Sequence, residues 1–386
     1  ESSTYEWPLL DENDAVALCY TSGTTGDPKG VLYSHRSTVL HAYAAVAPDV
    51  LNLSNRDCVL PVVPLFHVNA WGIPYSALMV GAKLVFPGSK MGDGETLYNL
   101  MESERVTTAL GVPTVWSALL QYAAKTGKKL ECLQRTCIGG AAVPESMIRE
   151  FRDRHGVVVH QGWGMTEMSP LGTYNTLKAG LESLSDDEIV KIQAKAGRGI
   201  FGVEMRIVDD DNKELPWDGK AFGALQVRGP WICSDYFRLE GSSESHKADG
   251  WFDTGDVATI DPQGYVQITD RTKDVIKSGG EWISSIQLEN TAVAHPAVQE
   301  AAVIGVAHEK WTERPLLIVV RKADEQLDRE AMLAWFDGKV ASWWVPDDVV
   351  FVDEIPHTAT GKIKKTELRS RFSDYRLPAG REASHG

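Results

Sequence analysis

Tyr20-Thr21-Ser22-Gly23-Thr24-Thr25-Gly26-Asp27-Pro28-Lys29-Gly30 is the most chemically crowded stretch of this 386-residue chain. Three glycines, five hydroxyl side chains and a lysine fall within eleven residues. Glycines and small hydroxyls let backbone N–H groups close around phosphate oxygens, and a lysine adds a compact positive charge. The pattern differs from the common nucleotide P-loop, which needs Gly, four residues, Gly-Lys and then Ser or Thr. Here Pro28 precedes Lys29 and Gly30 follows it. The apolar run 15–20 ahead of the loop reads as a buried strand, and a helical segment is expected after it.

Outward from the loop, short apolar runs alternate with helical patterns. His35 to Ala47 is Ala-rich and stops at Pro48. Strands are expected over 57–63, 82–86, 107–111, 136–140 and 157–161, with a helix near 96–103. Such alternation predicts an α/β fold whose mostly parallel sheet is covered by helices. In open sheets of this kind ligands gather at the carboxyl ends of the strands, and the glycine clusters follow those ends. Residues 175–197 are polar and read as a surface loop with one short helix. From Gly199 to Asp270, short β-type runs and turns predict an antiparallel β unit. After Lys273 a smaller α+β unit begins. Ser284 or Ser285 is expected to cap a helix running to His295. Strands are expected at 301–306, 316–320 and 349–352, and Leu333, Phe336 and Val340 share one helical face.

Composition narrows the function classes. Hydrophobic residues make up 43% and charged residues 24%, as in an ordinary globular protein. The formal net charge of -14 argues against nucleic acid or an anionic membrane as the main partner. No apolar run is long enough to span a bilayer. The five cysteines, Cys19, Cys58, Cys132, Cys137 and Cys233, form no CxxC pair and read as buried thiols of a reducing compartment.

The opening loop resembles the phosphate loop of the adenylate-forming superfamily, which comprises acyl- and aryl-CoA synthetases, luciferase and peptide-synthetase adenylation domains. Further motifs follow in the family's order. Gly139-Gly140-Ala141 resembles the loop whose backbone lines the adenine pocket. Gly162-Trp163-Gly164-Met165-Thr166-Glu167 resembles the aromatic-Gly-x-Thr-Glu motif. By that resemblance Trp163 stacks on adenine, Thr166 contacts phosphate and Glu167 binds Mg²⁺. Trp251 to Asp256 resembles the Thr-Gly-Asp motif, whose last carboxylate, Asp256, accepts the ribose hydroxyls. Asp270-Arg271-Thr272-Lys273-Asp274 resembles the interdomain linker, with Arg271 on ribose or phosphate and Lys273 at the hinge. On residue chemistry alone Lys273 reads as a solvated linker lysine.

The segment 277–284 carries Gly279 and Gly280, which allow close approach of another molecule. The resemblance makes it a wall of the pantetheine tunnel. Trp282 is either a nucleotide contact or a hydrophobic anchor. Pro356 to Ile363 resembles the C-terminal Pro-x-Thr-x-Thr-Gly-Lys motif, whose Lys362 reaches into the site during adenylation. In Pro64 to Gly72, the family places His67 near the acyl carbonyl and Trp71 as a gate to the acyl tunnel. A histidine among apolar residues is otherwise a core histidine.

The resemblance thus implies catalytic Lys362, His67, Thr166 and Glu167. It implies nucleotide and CoA contacts from Thr21, Ser22, Gly23, Thr24, Thr25, Gly26 and Lys29, from Gly139 to Ala141, and from Gly162 to Gly164. Asp256, Arg271, Gly279, Gly280 and Trp282 complete that set. The implied molecules are ATP, Mg²⁺, CoA and a small carboxylic acid, in a cytoplasmic acyl-CoA synthetase with homodimer as the expected assembly. Look-alikes include bacterial medium- and long-chain fatty acyl-CoA synthetases and 3-methylmercaptopropionate-CoA ligases, so fatty and short thioether acids are the expected substrates. Rival readings are another adenylating branch, or a nucleotide-binding fragment without catalysis. The expected organisation is an α/β part of the large domain over 1–198, a β subdomain over 199–270, a hinge at 271–273 and a mobile α+β lid over 274–386. The family carries a sizeable region ahead of its phosphate loop. Here the loop begins within thirty residues of a start lacking Met, so the large domain is expected to be truncated at its N-terminus.

Overall fold

The computed structural model describes residues 4–21, 28–209, 211–239, 245–279, 281–323, 325–358 and 362–378. Strands β1 (Ala15–Tyr20) and β2 (Gly30–Ser34) form an antiparallel hairpin around the opening loop. This corrects two expectations. The loop leads into a strand rather than a helix, and the helix His35–Ala45 starts only afterwards, capped by Ser34. Strand β1 is also not buried. Of its residues only Cys19 lies in the interior, because β2 is its sole sheet neighbour among the described residues.

The central sheet contains β3 (Cys58–Val62), β4 (Lys83–Leu84), β5 (Thr108–Gly111), β6 (Arg135–Gly139), β7 (Val158–Gly164), β8 (Leu171–Tyr174) and β9 (Arg198–Gly199). Their spatial order is β4-β3-β5-β6-β7-β8-β9. Pairings from β4 to β7 are parallel, and the β7–β8 and β8–β9 pairings are antiparallel. All five residues of β3 are buried, as expected of a parallel strand covered on both faces. Helix Gly94–Glu104 is capped by the Asp93 carboxylate, and helix Pro113–Thr126 opens on Pro and closes at Gly127. Between these helices and the sheet, Leu60, Leu97, Met101, Trp116, Ile138 and Phe151 form a dry core.

Strands β10 (Glu204–Val208), β11 (Phe222–Arg228), β12 (Phe252–Ile260) and β13 (Val266–Arg271) build a four-stranded antiparallel sheet. The last sheet holds β14 (Ile276–Ser278), β15 (Glu281–Ile283), β16 (Val298–His308), β17 (Thr312–Arg321) and β18 (Asp348–Phe351). Its central strands show why side-chain alternation matters. Ala301, Val303, Leu317 and Val319 face one core with Leu288 and Phe336, whereas Ala302, Ile304, Leu316 and Ile318 face another with Ile355 and Leu368. Helix Ser285–Val293 covers the first face and helix Lys365–Arg371 the second. Ser284 supplies the cap of the former, as the sequence suggested. Leu333 and Phe336 are buried and Val340 joins the same core, but the helix beneath them, Arg329–Ala334, is shorter than the periodicity implied. Gly338, at φ 71°, turns the chain away from the helical path.

Candidate active site

A cavity of about 1280 Å³ opens where the carboxyl ends of the central strands meet the four-stranded sheet and the C-terminal unit. Thr21, Lys29, His67, Trp71, Gly139, Gly140, Ala141, Gly162, Trp163, Gly164, Thr166, Glu167, Asp256, Arg271, Lys273 and Lys362 all line it. Residues as far apart as 21 and 362 therefore share one cleft. Ser22, Gly23, Thr24, Thr25, Gly26 and Gly280 lie outside the described residues, as does the side chain of Trp282. Gly279 is not on the cavity wall. Its N–H donates to the Trp311 carbonyl at 2.9 Å, and its backbone lies against the Trp311 ring.

The base of the opening loop is closed by two hydrogen bonds. Thr21 N–H donates to the Lys29 carbonyl at 2.9 Å, and Lys29 N–H donates to the Thr21 hydroxyl at 3.0 Å. Across the cleft, Gly139 and Gly162 stand side by side in the β6–β7 register. A Cβ on Gly139 would sit 2.9 Å from the Gly162 carbonyl and 3.2 Å from the Trp71 ring, so the indole occupies space that any other residue would fill. A Cβ on Gly164 would sit 2.0 Å from the Pro170 carbonyl, which makes glycine obligatory at that turn. The turn delivers Thr166 and Glu167, both nearly inaccessible to solvent.

Asp256 and Arg271 are cross-strand partners in β12 and β13. Asp256 Oδ1 lies 3.8 Å from Arg271 Nε, and its Oδ2 accepts from Trp163 Nε1 at 2.8 Å. Burial pushes the Asp256 carboxyl up from its ordinary range, against the opposing pull of Arg271 and the indole N–H. Lys362 arrives from the C-terminal unit. Its N–H donates to the Thr358 hydroxyl at 3.1 Å, and its carbonyl accepts from Thr358 N–H at 2.8 Å. Its Cε would lie 3.7 Å from a Cβ on Gly140. Burial first, then Arg271, brings the Lys362 ammonium down to about 8, while Asp256 and Glu167 pull the other way. Burial, seconded by the Lys362 charge, lowers His67 to about 4, so its imidazole is neutral near pH 7.

His67 leads into an unusual backbone. Val68, Asn69, Ala70 and Trp71 have φ between 50 and 60°, and Gly72 has φ 72°. Asn69 and Ala70 have ψ 49 and 48°, so this is a left-handed helical turn. Each non-Gly residue in that region costs about 1–2 kcal/mol, which packing and hydrogen bonds must offset. Val68 and Ala70 are buried. The Asn69 carboxamide is held on both sides, accepting from the Cys19 thiol at 3.3 Å and donating to the Tyr75 hydroxyl at 2.9 Å. The turn aims Trp71 at the Gly139 slot. Beyond that indole the cavity continues into an apolar arm lined by Ala45, Leu51, Ile73, Leu110 and Cys137.

Tyr236 is the polar wall residue that motif reading missed. Its hydroxyl donates to Glu167 Oε1 at 2.8 Å, and its ring lies 4.7 Å beneath the Lys29 ammonium. His41 was also unforeseen. Its Nε2 accepts from Leu171 N–H at 3.1 Å, and complete burial holds it down near 4. The signal available for either was weak: an isolated aromatic or histidine among apolar neighbours.

The family described as AMP-binding enzyme matches residues 2–237, and its C-terminal domain matches residues 287–362. A 3-methylmercaptopropionyl-CoA ligase from Ruegeria lacuscaerulensis is 57% identical over 370 residues, covering 96% of this chain and 68% of the relative. A medium-chain-fatty-acid–CoA ligase from Ectopseudomonas oleovorans is 55% identical, covering 97% of this chain and 68% of the relative. Among solved structures, ATP-bound MatB from Rhodopseudomonas palustris superposes with a TM-score of 0.80 at 30% identity, over 95% of this chain and 69% of that one. Among the described residues no helix is long and apolar enough to cross a membrane.

Proposed function

The chain belongs to the AMP-binding enzyme family, and from that membership we propose an ATP-dependent acyl-CoA synthetase, an acid–thiol ligase that forms AMP. One observation carries the residue assignments: Lys29, Trp163, Glu167, Asp256, Arg271 and Lys362 converge on a single cleft. In the first step a carboxylate oxygen attacks the α-phosphorus of ATP. A P–O bond forms, the bond to the β-phosphate breaks, and pyrophosphate leaves. The chain supplies no nucleophile for this step, so positioning and charge carry the catalysis. Trp163 packs against adenine, Asp256 accepts from the ribose hydroxyls, and Arg271, Lys29, Thr166 and the loop from Thr21 hold phosphate oxygens. Lys362 offsets negative charge growing between carboxylate and pyrophosphate. Neutral His67 stands near the acyl carbonyl.

Glu167 is a fitting ligand for Mg²⁺, which takes one or two carboxylates together with substrate phosphates. When bound, the ion neutralises charge on the phosphates.

In the second step the CoA sulfur attacks the acyl carbon. A C–S bond forms, the bond to the AMP oxygen breaks, and the thiol proton is released. We assign the wall of the CoA channel to Gly279 and Gly280, brought in when the C-terminal lid turns about Lys273. With Lys362 on the cleft wall and Gly279 off it, the described arrangement suits the first step. The apolar arm behind Trp71 favours a fatty or short thioether acid. That choice agrees with the two relatives, whose names specify 3-methylmercaptopropionyl and medium-chain fatty acyl groups.

Pyrophosphate release with CoA and a panel of acids tests the reading. Turnover is expected with medium-chain or thioether acids, whereas release without a CoA ester points to another adenylating branch. Lys362→Ala is expected to cut adenylation about a hundredfold or more while sparing thioester formation from supplied acyl-adenylate. Equal loss of both steps would remove Lys362 from its assigned role.

A further inference from the structure

Tyr236 stands between the two charges assigned to the phosphates. It belongs to the segment between β11 and β12, which is tied down on two sides. Phe237 N–H donates to the Gly30 carbonyl at 2.8 Å, and Cys233 N–H donates to the Glu167 carbonyl at 2.8 Å. The side chain is buried at 6% exposure. One end of it, the hydroxyl, donates to Glu167 Oε1, and the flat of its ring supports the Lys29 ammonium. Lys29 is exposed and Glu167 buried, and a carboxylate and an ammonium lining one cleft attract each other. Among the described residues, Lys29 and Glu167 nevertheless form no ion pair. The phenol gives each charge a different partner, through a charge-assisted hydrogen bond on one side and the negative ring face on the other.

We infer that Tyr236 is a positioning residue for the triphosphate. It holds Glu167 and Lys29 apart in the unliganded site, so that the polyphosphate with its divalent cation enters between them without first breaking an ion pair. The nucleoside end of the substrate never meets this group. Tyr236 therefore discriminates a triphosphate from a monophosphate rather than one base from another. The inference rests on assigning Lys29 and Glu167 to the phosphates.

The test is equilibrium binding by calorimetry, comparing AMP with a non-hydrolysable ATP analogue, in Mg²⁺ and in EDTA. Tyr236→Phe keeps the ring under Lys29 and removes only the donor to Glu167. It is expected to weaken the analogue about tenfold in Mg²⁺ and to weaken it in EDTA as well, with AMP affinity within about twofold of the parent in both media. Tyr236→Leu, which removes the ring as well, is expected to weaken the analogue further and in both media. If Tyr236→Phe weakens AMP and the analogue equally, or neither, the positioning role is wrong. Should Tyr236→Leu not fold, the near-isosteric phenylalanine variant decides alone. Failure of the parent protein to bind either nucleotide would instead refute the phosphate assignment beneath it.

Discussion

Lys362 concentrates the chemistry of this site in one proton. Burial and Arg271 bring its ammonium down to about 8, so above that pH the free enzyme loses the cation assigned to adenylation. Bound triphosphate favours the charged form and moves the titration upward. For ATP in pyrophosphate exchange, kcat/KM reports the free enzyme and is expected to fall about tenfold per pH unit above about 8, whereas kcat falls only at higher pH. Lys362→Arg, whose charge does not titrate there, is expected to lose that limb even if its overall rate is low. An unchanged limb in the arginine variant would assign the titration to another group. Lys362, Asp256 and Glu167 were legible because each lies in a short pattern of chemically uncommon residues. Tyr236 was not. It reaches Glu167 across a sequence separation of 69 residues, and nothing in its own neighbourhood, Ser234-Asp235-Tyr236-Phe237, signals a partner.

At the scale of elements, the left-handed turn from Val68 to Gly72 stands out. Valine, alanine and tryptophan have no preference for positive φ, so the sequence offered only Asn69 and Gly72 as hints. The strain is met by burial of Val68 and Ala70 and by the two hydrogen bonds of Asn69. Asn69→Ala removes both bonds and places a residue less tolerant of this backbone at φ 50°. A loss of about 2–3 kcal/mol in stability is expected, read from chemical denaturation. The KM for the acid should rise as Trp71 loses its aim, with the KM for ATP little changed. Unaltered stability would show that packing alone holds the turn. Strands and helices elsewhere followed their periodicity well. The misreadings came where tertiary neighbours decide: β1 proved an exposed hairpin strand, and the helix beneath Leu333 ended early at Ala334.

For the whole molecule, alternation of strands and helices with glycines at the strand ends indicated a site at the carboxyl edge of the sheet. That is where the cleft lies. How the C-terminal unit meets the rest was not legible, because it depends on individual polar contacts. Asp270 accepts from Ser285 N–H at 2.7 Å, and Ser284 donates to the Thr269 carbonyl. These contacts lie beside Lys273, the proposed pivot. Lys273→Pro would lock φ there and remove an N–H. It is expected to leave adenylation within a few-fold of the parent and to slow thioester formation about a hundredfold. If both half-reactions survive, the pivot lies elsewhere.

The sheet of the C-terminal unit is sealed on both faces by its own helices. Such a unit would bring its oily interior along in the proposed rotation. Its attachments near the proposed pivot are the Asp270 carboxylate, the Ser284 hydroxyl and backbone amides, groups that water can also satisfy. A unit that keeps its own core covered does not expose that core to water when it turns, so the unfavourable hydration that would tether a half-built module is avoided. On the proposed rotation about Lys273, the occupant of the cleft would then decide which way the unit faces.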